Sequence, residues 1–183
     1  LILYLLSIYI INKILSDTVT SKINMMLSEA YENVEDGNFD DALKLYDSAL
    51  KIDPTNSNIY VDKGATLQNM GRLKLAIRSF DKALSISPEN IDALLNKGAT
   101  LHSEQKYSKA IECYDDVLKI DKKSAMALAY KGLSLGEMGK LSDAIKHFKK
   151  ALSIDEHYDL ANISKELAQD LLKSIKSQKS KTQ

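Results

Sequence analysis

Small, aromatic and apolar residues recur along this chain with a fixed period of 34 residues. Each period contains a small residue, an aromatic residue four positions later, and a second small or β-branched residue three positions after that. The four sets are Ala42, Tyr46 and Ala49; Ala76, Phe80 and Ala83; Ala110, Tyr114 and Val117; and Ala144, Phe148 and Ala151. Three of these sets are preceded, twelve residues earlier, by Gly64, Gly98 and Gly132, and the first set by Ala30. A period of this length is typical of a helical-repeat solenoid.

Within each period, apolar residues spaced by three and four positions predict two amphipathic helices joined by a tight turn. Gly37, Gly71 and Gly139 supply the left-handed conformation that ends the first helix of a pair. Gln105 takes the place of that glycine in the third period, so we expect a strained turn there. The predicted helices span residues 23–36, 39–52, 57–70, 73–86, 91–104, 107–120, 125–138 and 141–154.

A ninth helix, over residues 159–177, has no partner helix in this pattern. Its apolar residues keep a helical spacing, so we expect them to pack on the last repeat and leave a polar outer surface, as a capping helix does. These apolar residues are Leu160, Ile163, Leu167, Leu171 and Ile175. The lysine-rich residues 178–183 are expected to form a basic, disordered tail.

The register of these small and aromatic residues resembles the tetratricopeptide repeat family. The resemblance covers residues 23–156, with repeats at approximately 23–56, 57–90, 91–124 and 125–158. It implies an all-α fold, a right-handed helical-repeat solenoid of four helix–turn–helix units followed by the capping helix. Tyr60 and Leu94 stand where the family often has tryptophan, a departure that does not change the predicted fold. Family members are typically scaffolds that hold a peptide or a helix in a concave groove.

The first helix of each repeat forms most of that groove in such a solenoid, and helical geometry selects 24 residues of this chain that face it. None of them is basic, four are acidic and eleven are apolar. This composition favours an apolar or amphipathic partner segment with some basic residues. The candidate partner-binding residues are Leu27, Tyr31, Glu35, Val61, Asp62, Gln68, Leu95, Asn96, His102, Met126, Tyr130 and Leu133. The alternative is that these side chains only cover the adjacent helices.

One subset of the family binds the carboxy-terminal tails of chaperones through lysine, arginine and asparagine side chains in the groove. Among the corresponding residues here only Asn96 matches, and Asp62 would repel a carboxylate. We therefore do not expect a chaperone carboxylate tail as the partner.

Two further sets of side chains have structural rather than functional explanations. Lys63, Lys97 and Lys131 share one register, and we expect their stems to cover apolar surface while the ammonium groups stay in water. Cys113 and His147 occupy equivalent places in adjacent repeats, but zinc needs three or four convergent ligands. The sequence also lacks a glycine-rich phosphate loop, a nucleophile elbow and an HExxH motif. We therefore predict no metal site, no cofactor and no enzymatic activity.

The charges of the chain total zero over 183 residues, but they are not evenly distributed. Residues 23–172 contain 19 basic and 24 acidic residues, a net charge of −5, which argues against a nucleic-acid partner. The single cysteine cannot form an internal disulfide, so we expect a reducing, cytoplasmic compartment.

Residues 1–22 form a separate amino-terminal segment, and its first eleven residues are almost wholly apolar. Eleven residues are fewer than the about 20 that span a bilayer. Three interpretations remain open: part of a membrane anchor, a helix packed on the first repeat, or a degenerate preceding repeat. A membrane-anchored form of the protein is therefore one alternative.

The function that follows is a non-enzymatic scaffold that binds a partner protein or peptide in the groove. The alternative is a recruiting arm of a larger enzyme or of a membrane-anchored assembly.

Overall fold

The computed structural model describes residues 2–181, with side chains from Tyr9 to Gln178, and every regular element in that part of the chain is an α-helix. The all-α prediction is confirmed. The helices divide into two compact units, Leu1–Ile86 and Ser87–Gln183.

The first unit contains four helices: α1 (Ile2–Glu35), α2 (Phe39–Ile52), α3 (Ser57–Asn69) and α4 (Leu73–Ile86). Its core is a cluster of buried side chains from α1, α2 and α3. The cluster consists of Ile23, Ala30, Ala42, Tyr46, Ala49, Leu50 and Ile59. Four of these positions belong to the periodic series, so the residues that define the repeat also form the core.

The second unit contains five helices: α5 (Ile91–Ser103), α6 (Tyr107–Ile120), α7 (Ala125–Glu137), α8 (Leu141–Leu152) and α9 (Asp159–Lys181). Its core joins α7, α8 and α9. The buried members are Leu128, Ala129, Leu135, Leu141, Ala144, Phe148, Ala151, Ala161 and Ala168.

The helix ends follow the sequence closely. Helices α2, α4 and α6 have the predicted bounds, whereas α3, α5 and α7 each end one residue earlier than predicted and α8 ends two residues earlier. Helix α1 was predicted at 23–36, but it begins at Ile2 and ends at Glu35. Asn90 caps α5, because its side-chain oxygen accepts a hydrogen bond of 2.9 Å from the backbone N–H of Ala93. The strained turn is also present: Gln105 has φ of 59°, in the region where Gly71 and Gly139 have 70° and 74°.

The glycine series makes room for the aromatic series within each repeat. A Cβ atom on Gly64 would lie 2.5 Å from Phe80, and one on Gly98 would lie 2.5 Å from Tyr114. Gly132 and Phe148 have the same relationship, at 2.6 Å. The two helices of a repeat can therefore approach closely only because one of them has no side chain at this point.

The amino-terminal segment differs from one of its predicted alternatives. Helix α1 runs without interruption into the first repeat, and residues 9–22 are exposed, with Ile23 the first buried side chain among those described. Residues 9–22 therefore do not pack on the first repeat. The side chains of residues 1–8 lie outside the described residues.

The orientation of α9 corrects the prediction for the capping helix. Ile163, Leu167 and Leu171 are exposed by 67%, 70% and 50%, whereas Ala161 and Ala168 pack into the core of the second unit. The predicted inward apolar stripe thus faces outward, because small residues rather than large ones determine which face can approach α7 and α8. Helix α9 also continues to Lys181, so residues 178–181 of the predicted tail are helical, and residues 182–183 lie outside the described residues.

Candidate functional site

The candidate residues of the first unit lie on α1 and α3, and we call them the α1–α3 face: Leu27, Tyr31, Glu35, Val61, Asp62 and Gln68. Tyr31 and Asp62 connect the two helices, because the Tyr31 hydroxyl donates a hydrogen bond of 2.7 Å to Asp62 Oδ2. Desolvation, followed by this hydrogen bond and the charge of Asp62, raises the pKa of Tyr31 above its ordinary value. Tyr31 is still 49% exposed, so its ring remains available to a partner. Val61 is buried and offers a partner little surface.

The candidate residues of the second unit lie on α5 and α7, and we call them the α5–α7 face: Leu95, Asn96, His102, Met126, Tyr130 and Leu133. His102 connects the two helices through a hydrogen bond of 2.9 Å between its Nδ1 atom and the hydroxyl of Ser134. The His102 ring also contacts the edge of Tyr107, with 5.2 Å between ring centroids. Met126 is 44% exposed, and the other five are partly buried.

Tyr130 has a structural contact as well as an accessible surface. Its ring lies 5.8 Å from that of Tyr114, centroid to centroid, and Tyr114 in turn lies against Gly98. Replacing Tyr130 by alanine would therefore disturb the packing of α6 and α7 as well as the face. Met126 is the better residue with which to test binding.

The α1–α3 face is acidic, because it carries Glu35 and Asp62, whereas the α5–α7 face carries no acidic side chain. Two lysines on the first helices are already engaged: Lys63 pairs with Asp47, and Lys131 pairs with Asp115. Each pair joins a first helix to the second helix of the preceding repeat, sixteen residues earlier. The ammonium groups of Lys63 and Lys131 are thus in ion pairs, rather than only in water as predicted. The pairs also direct these positive charges away from the candidate faces.

A groove that the sequence analysis missed lies between α7, α8 and α9, and we call it the α7–α9 groove. Leu133, Gly136 and Glu137 of α7 form one side, and Leu167 and Leu171 of α9 form the other. Leu141 and Phe148 of α8 line its floor. The groove volume is about 160 Å³, close to the about 150 Å³ of an apolar cavity that holds a benzene-sized group.

The 34-residue period contained the signal for this groove. Leu167 comes 34 residues after Leu133, which lines the groove from the fourth repeat. Helix α9 therefore occupies the place of a first helix of a further repeat, and three of its four groove-lining residues are apolar. The sequence analysis treated α9 as a cap and did not extend the register to it.

Other kinds of site have no support in the described part of the chain. It contains no group of three or more histidine, cysteine or acidic side chains that would hold a metal ion. No helix among the described residues is long and apolar enough to cross a membrane.

Comparison with protein-family models gives a consistent assignment for the repeats. Models described as tetratricopeptide repeat match residues 57–90, 91–124 and 125–158, and a model described as TPR repeat matches residues 30–71. The first three matches begin and end at the bounds of the second, third and fourth predicted repeats. Together the matches extend over residues 30–158.

Solved structures with the same fold include several repeat proteins. The crystal structure of the MamA protein is 24% identical, with a TM-score of 0.72 and 82% of each chain covered. A tetratricopeptide repeat protein from Parabacteroides merdae ATCC 43184 is 21% identical, with a TM-score of 0.74, 84% of this chain and 61% of that chain covered.

A third structure, YrrB, is described as a TPR protein with an unusual peptide-binding site. It is 21% identical, with a TM-score of 0.65, and the match covers 81% of this chain and 76% of that chain. These similarities confirm a helical-repeat fold. Among proteins of curated function, none matches this chain in sequence.

Proposed function

The chain belongs to the tetratricopeptide repeat family, and we propose that it is a non-enzymatic scaffold that binds an amphipathic, basic segment of a partner protein on the α1–α3 and α5–α7 faces. Proteins of this family and fold are generally protein-interaction modules. YrrB, which shares the fold, is described as having a peptide-binding site. The coarser function, a protein-interaction scaffold, follows from the family, and the choice of face and partner is our proposal.

The observation that carries the proposal is the combination of exposed apolar side chains and acidic charge on the first helices. Tyr31 and Met126 are 49% and 44% exposed, although both are large and apolar enough to be buried in a protein without a partner. Aromatic residues and methionine are also enriched at protein interfaces. Glu35 is exposed next to Tyr31 in the helix register, so a basic side chain of the partner would be attracted to the same face.

The two faces do not suit a carboxylate tail. A carboxylate needs cationic donors, and Lys63 and Lys131 are held in ion pairs with Asp47 and Asp115. Asp62 accepts a hydrogen bond from Tyr31 and keeps its negative charge on the α1–α3 face. An incoming carboxylate would therefore meet repulsion where a lysine or arginine would be attracted.

The experiment is partner recovery with a face variant and a matched control. The face variant carries Tyr31→Lys and Met126→Lys, which add positive charge at two exposed positions without opening the core. The control carries Leu75→Lys and Ile120→Lys, at side chains of similar exposure (44% and 40%) on the second helices α4 and α6. We expect the face variant to lose the wild-type partner and the control to retain it.

Recovery of the same partners by both variants, with unchanged circular dichroism, would reject binding on these faces. Loss of the partner by the control alone would show that the partner binds the second helices instead. A recovered partner should then be mapped by peptide array, where binding should require apolar residues at helical spacing and at least one lysine or arginine.

We place the scaffold in a reducing compartment, and we propose the cytoplasm. Cys113 is buried and forms no disulfide, so it behaves as a small apolar residue of the repeat. Subcellular fractionation tests this, and recovery of the full-length protein with the membrane fraction would favour the membrane-anchored alternative.

A further inference from the structure

An open cleft lies between α2, α3 and α4 of the first unit, and we call it the α2–α4 cleft. Its volume is about 380 Å³, and its charged lining residues are Lys63, Arg72, Arg78, Lys82 and Asp47. None of the residues that define the α1–α3 face lines it. The cleft is therefore a surface separate from the faces to which the proposed function assigns the partner.

Two basic residues of the cleft have no acidic partner in the described part of the chain. Lys63 and Arg72 are in ion pairs with aspartates of α2. Arg78 and Lys82, by contrast, are exposed and form no ion pair with a described residue. They are four residues apart on α4, so they lie on one side of the helix and about 6 Å apart along its axis. The cleft therefore attracts an acidic group, although residues 23–172 as a whole carry a net charge of −5.

The following repeat shows that the fold does not fix the sign of these charges. Thirty-four residues after Arg78 and Lys82 come Glu112 and Asp116, on the corresponding helix α6 of the second unit. None of the four side chains is buried. A second helix thus accepts either sign at these two positions, and the positive charges of the cleft are not required for packing.

An exposed apolar side chain lies among the charges of the cleft. Leu75 lines the cleft and is 44% exposed. The residues at its position in the other three repeats are all charged: Asp41, Lys109 and Asp143. Leu43 and Tyr60, which are partly buried, also line the cleft. The cleft therefore offers apolar surface next to its two unpaired cations, a combination that suits a segment with both acidic and apolar side chains.

The dimensions of the cleft favour a short extended segment. Leu75 and Lys82 are seven residues apart on α4, which is about 10 Å along the helix axis. A helix segment of that length, with a diameter of about 10 Å, occupies roughly 800 Å³ and would not fit within the cleft. An extended chain rises about 3.3 Å per residue, so residues two apart lie on one side of it and about 7 Å from each other. That separation is comparable with the spacing of Arg78 and Lys82.

We propose that the α2–α4 cleft binds a short, extended, acidic segment of a partner protein. Side-chain carboxylates two residues apart pair with Arg78 and Lys82, and an apolar side chain two residues further along contacts Leu75. The planar guanidinium of Arg78 suits a carboxylate because it can donate two parallel hydrogen bonds. The inference goes beyond the proposed function, since this segment is opposite in charge to the basic one proposed for the α1–α3 and α5–α7 faces.

The test reverses the two charges in the full chain and selects binding peptides from a random displayed library. The cleft variant carries Arg78→Glu and Lys82→Asp, which are the residues of the following repeat. The control carries Lys146→Glu and Lys150→Asp, the same change of charge at the same register of the fourth repeat, where both lysines are exposed. Wild type and control should enrich peptides with two acidic residues at alternate positions and a large apolar residue beside them. The cleft variant should not enrich them.

Fluorescence anisotropy with one enriched peptide, amidated at its carboxy terminus, measures the size of the effect. The affinity of the cleft variant should be at least about tenfold lower, because like charges then face each other. The affinity of the wild type should fall with added salt. Leu75→Gln removes the apolar contact without changing the charge and should lower the affinity by about fivefold. Circular dichroism should be unchanged in every variant, since all the replaced side chains are exposed.

Four outcomes would overturn the proposal. A wild type that enriches no acidic pattern, or a cleft variant that retains the peptides, would reject the cleft as their binding site. An equal loss in the control would show that the peptides respond to net charge alone. Self-association that the cleft variant loses, and that mixing it with a Glu112→Arg, Asp116→Lys variant restores, would assign the cleft to a second copy. Binding to phosphatidylserine vesicles without any enriched peptide would assign the basic residues to a membrane surface.

The same peptides separate this inference from the proposed function. The face variant with Tyr31→Lys and Met126→Lys should bind the acidic peptides like the wild type, because neither residue lines the cleft. Loss of the acidic peptides by the face variant would place them on the α1–α3 and α5–α7 faces and overturn the inference.

Discussion

At the scale of single residues, the period reflects a small number of close contacts. Gly98 has its space filled by the Tyr114 ring, and Gly132 by the Phe148 ring, so in both repeats the absent side chain and the aromatic one act as a pair. Gly136, in the same helix as Gly132, has nothing within 4 Å of its Cβ direction. Glycine therefore has a packing role at one position and none at the other, only four residues away.

These two kinds of glycine predict opposite effects of one substitution. Gly98→Ala should lower the free energy of unfolding by about 1–3 kcal/mol, because its Cβ would lie 2.5 Å from Tyr114 and force the ring to move. Gly136→Ala is the matched control and should raise it by about 0.5–1 kcal/mol through helix propensity. Urea unfolding followed by circular dichroism measures the free energy of unfolding of both variants. Equal changes in the two variants would show that Gly98 has no special packing role against Tyr114.

Tyr114 gives a prediction about pH. Burial raises the pKa of Tyr114, so above pH 10.0, the ordinary value, the unfolded state loses the phenol proton while the folded state keeps it. The stabilisation from the neutral phenol is complete below pH 10.0 and is lost as the pH rises. Tyr114→Phe should leave the free energy of unfolding nearly unchanged at pH 7, because Phe80 and Phe148 show that phenylalanine fits at the equivalent positions. At alkaline pH the variant should lose less stability than the wild type.

The matched control for this prediction adds the hydroxyl group elsewhere. Phe148→Tyr places a phenol at the equivalent buried position, and it should make the stability more sensitive to alkaline pH. Urea midpoints measured from neutral to alkaline pH compare the three proteins. Parallel curves for all three would contradict the assignment of this sensitivity to the buried ring.

At the scale of helices, α1 and α9 differ from the rest because both are longer and expose several large apolar side chains. Helices α2 to α8 are 12–14 residues long, whereas the exposed part of α1 alone includes the fourteen residues 9–22. Helix α9 packs through Ala161 and Ala168, and its larger apolar residues remain exposed. The two ends of the repeat series thus carry exposed apolar surface, which in water favours association.

Deletion of residues 1–20 tests whether the α1 extension contributes to the fold. We expect the melting temperature to be unchanged, because Ile23 is the first buried side chain among those described. A lower melting temperature in differential scanning calorimetry would show that the extension packs against the repeats.

At the scale of the whole molecule, each unit has a core of its own. The core of the first unit contains Tyr46, and that of the second unit contains Phe148, at equivalent positions in the repeat. In repeat proteins each repeat contacts mainly the adjacent repeats, so the free energy of unfolding is nearly a sum of local contributions. A local change should therefore have a mainly local effect.

Hydrogen exchange can measure how local the effect is. Phe148→Ala should lower the free energy of unfolding by about 3–5 kcal/mol. The loss of hydrogen-exchange protection should be greatest for the amides of α7, α8 and α9. Tyr46→Ala is the mirror variant and should affect α1, α2 and α3 most. A uniform loss of protection across all helices in either variant would show that the chain unfolds as one cooperative unit.

The sequence by itself determined the all-α fold, the ends of the paired helices to within two residues everywhere except the start of α1, and the strained turn at Gln105. These features depend on local chemistry, such as spacing of apolar residues, a left-handed turn and a capping side chain, so a single sequence contains them. The candidate faces could be placed on α1, α3, α5 and α7 for the same reason. Their role in binding remains a prediction.

Only the tertiary structure decided which face of α9 packs and that α1 is exposed. The apolar pattern shows that Leu167 and Leu171 lie on one side of α9, but not whether that side meets the protein. Ala161 and Ala168 decide it, because α7 and α8 can approach a helix closely only where its side chains are small. Exposure of this kind is a property of the neighbouring helices, and the spacing of apolar residues within α9 alone does not show it.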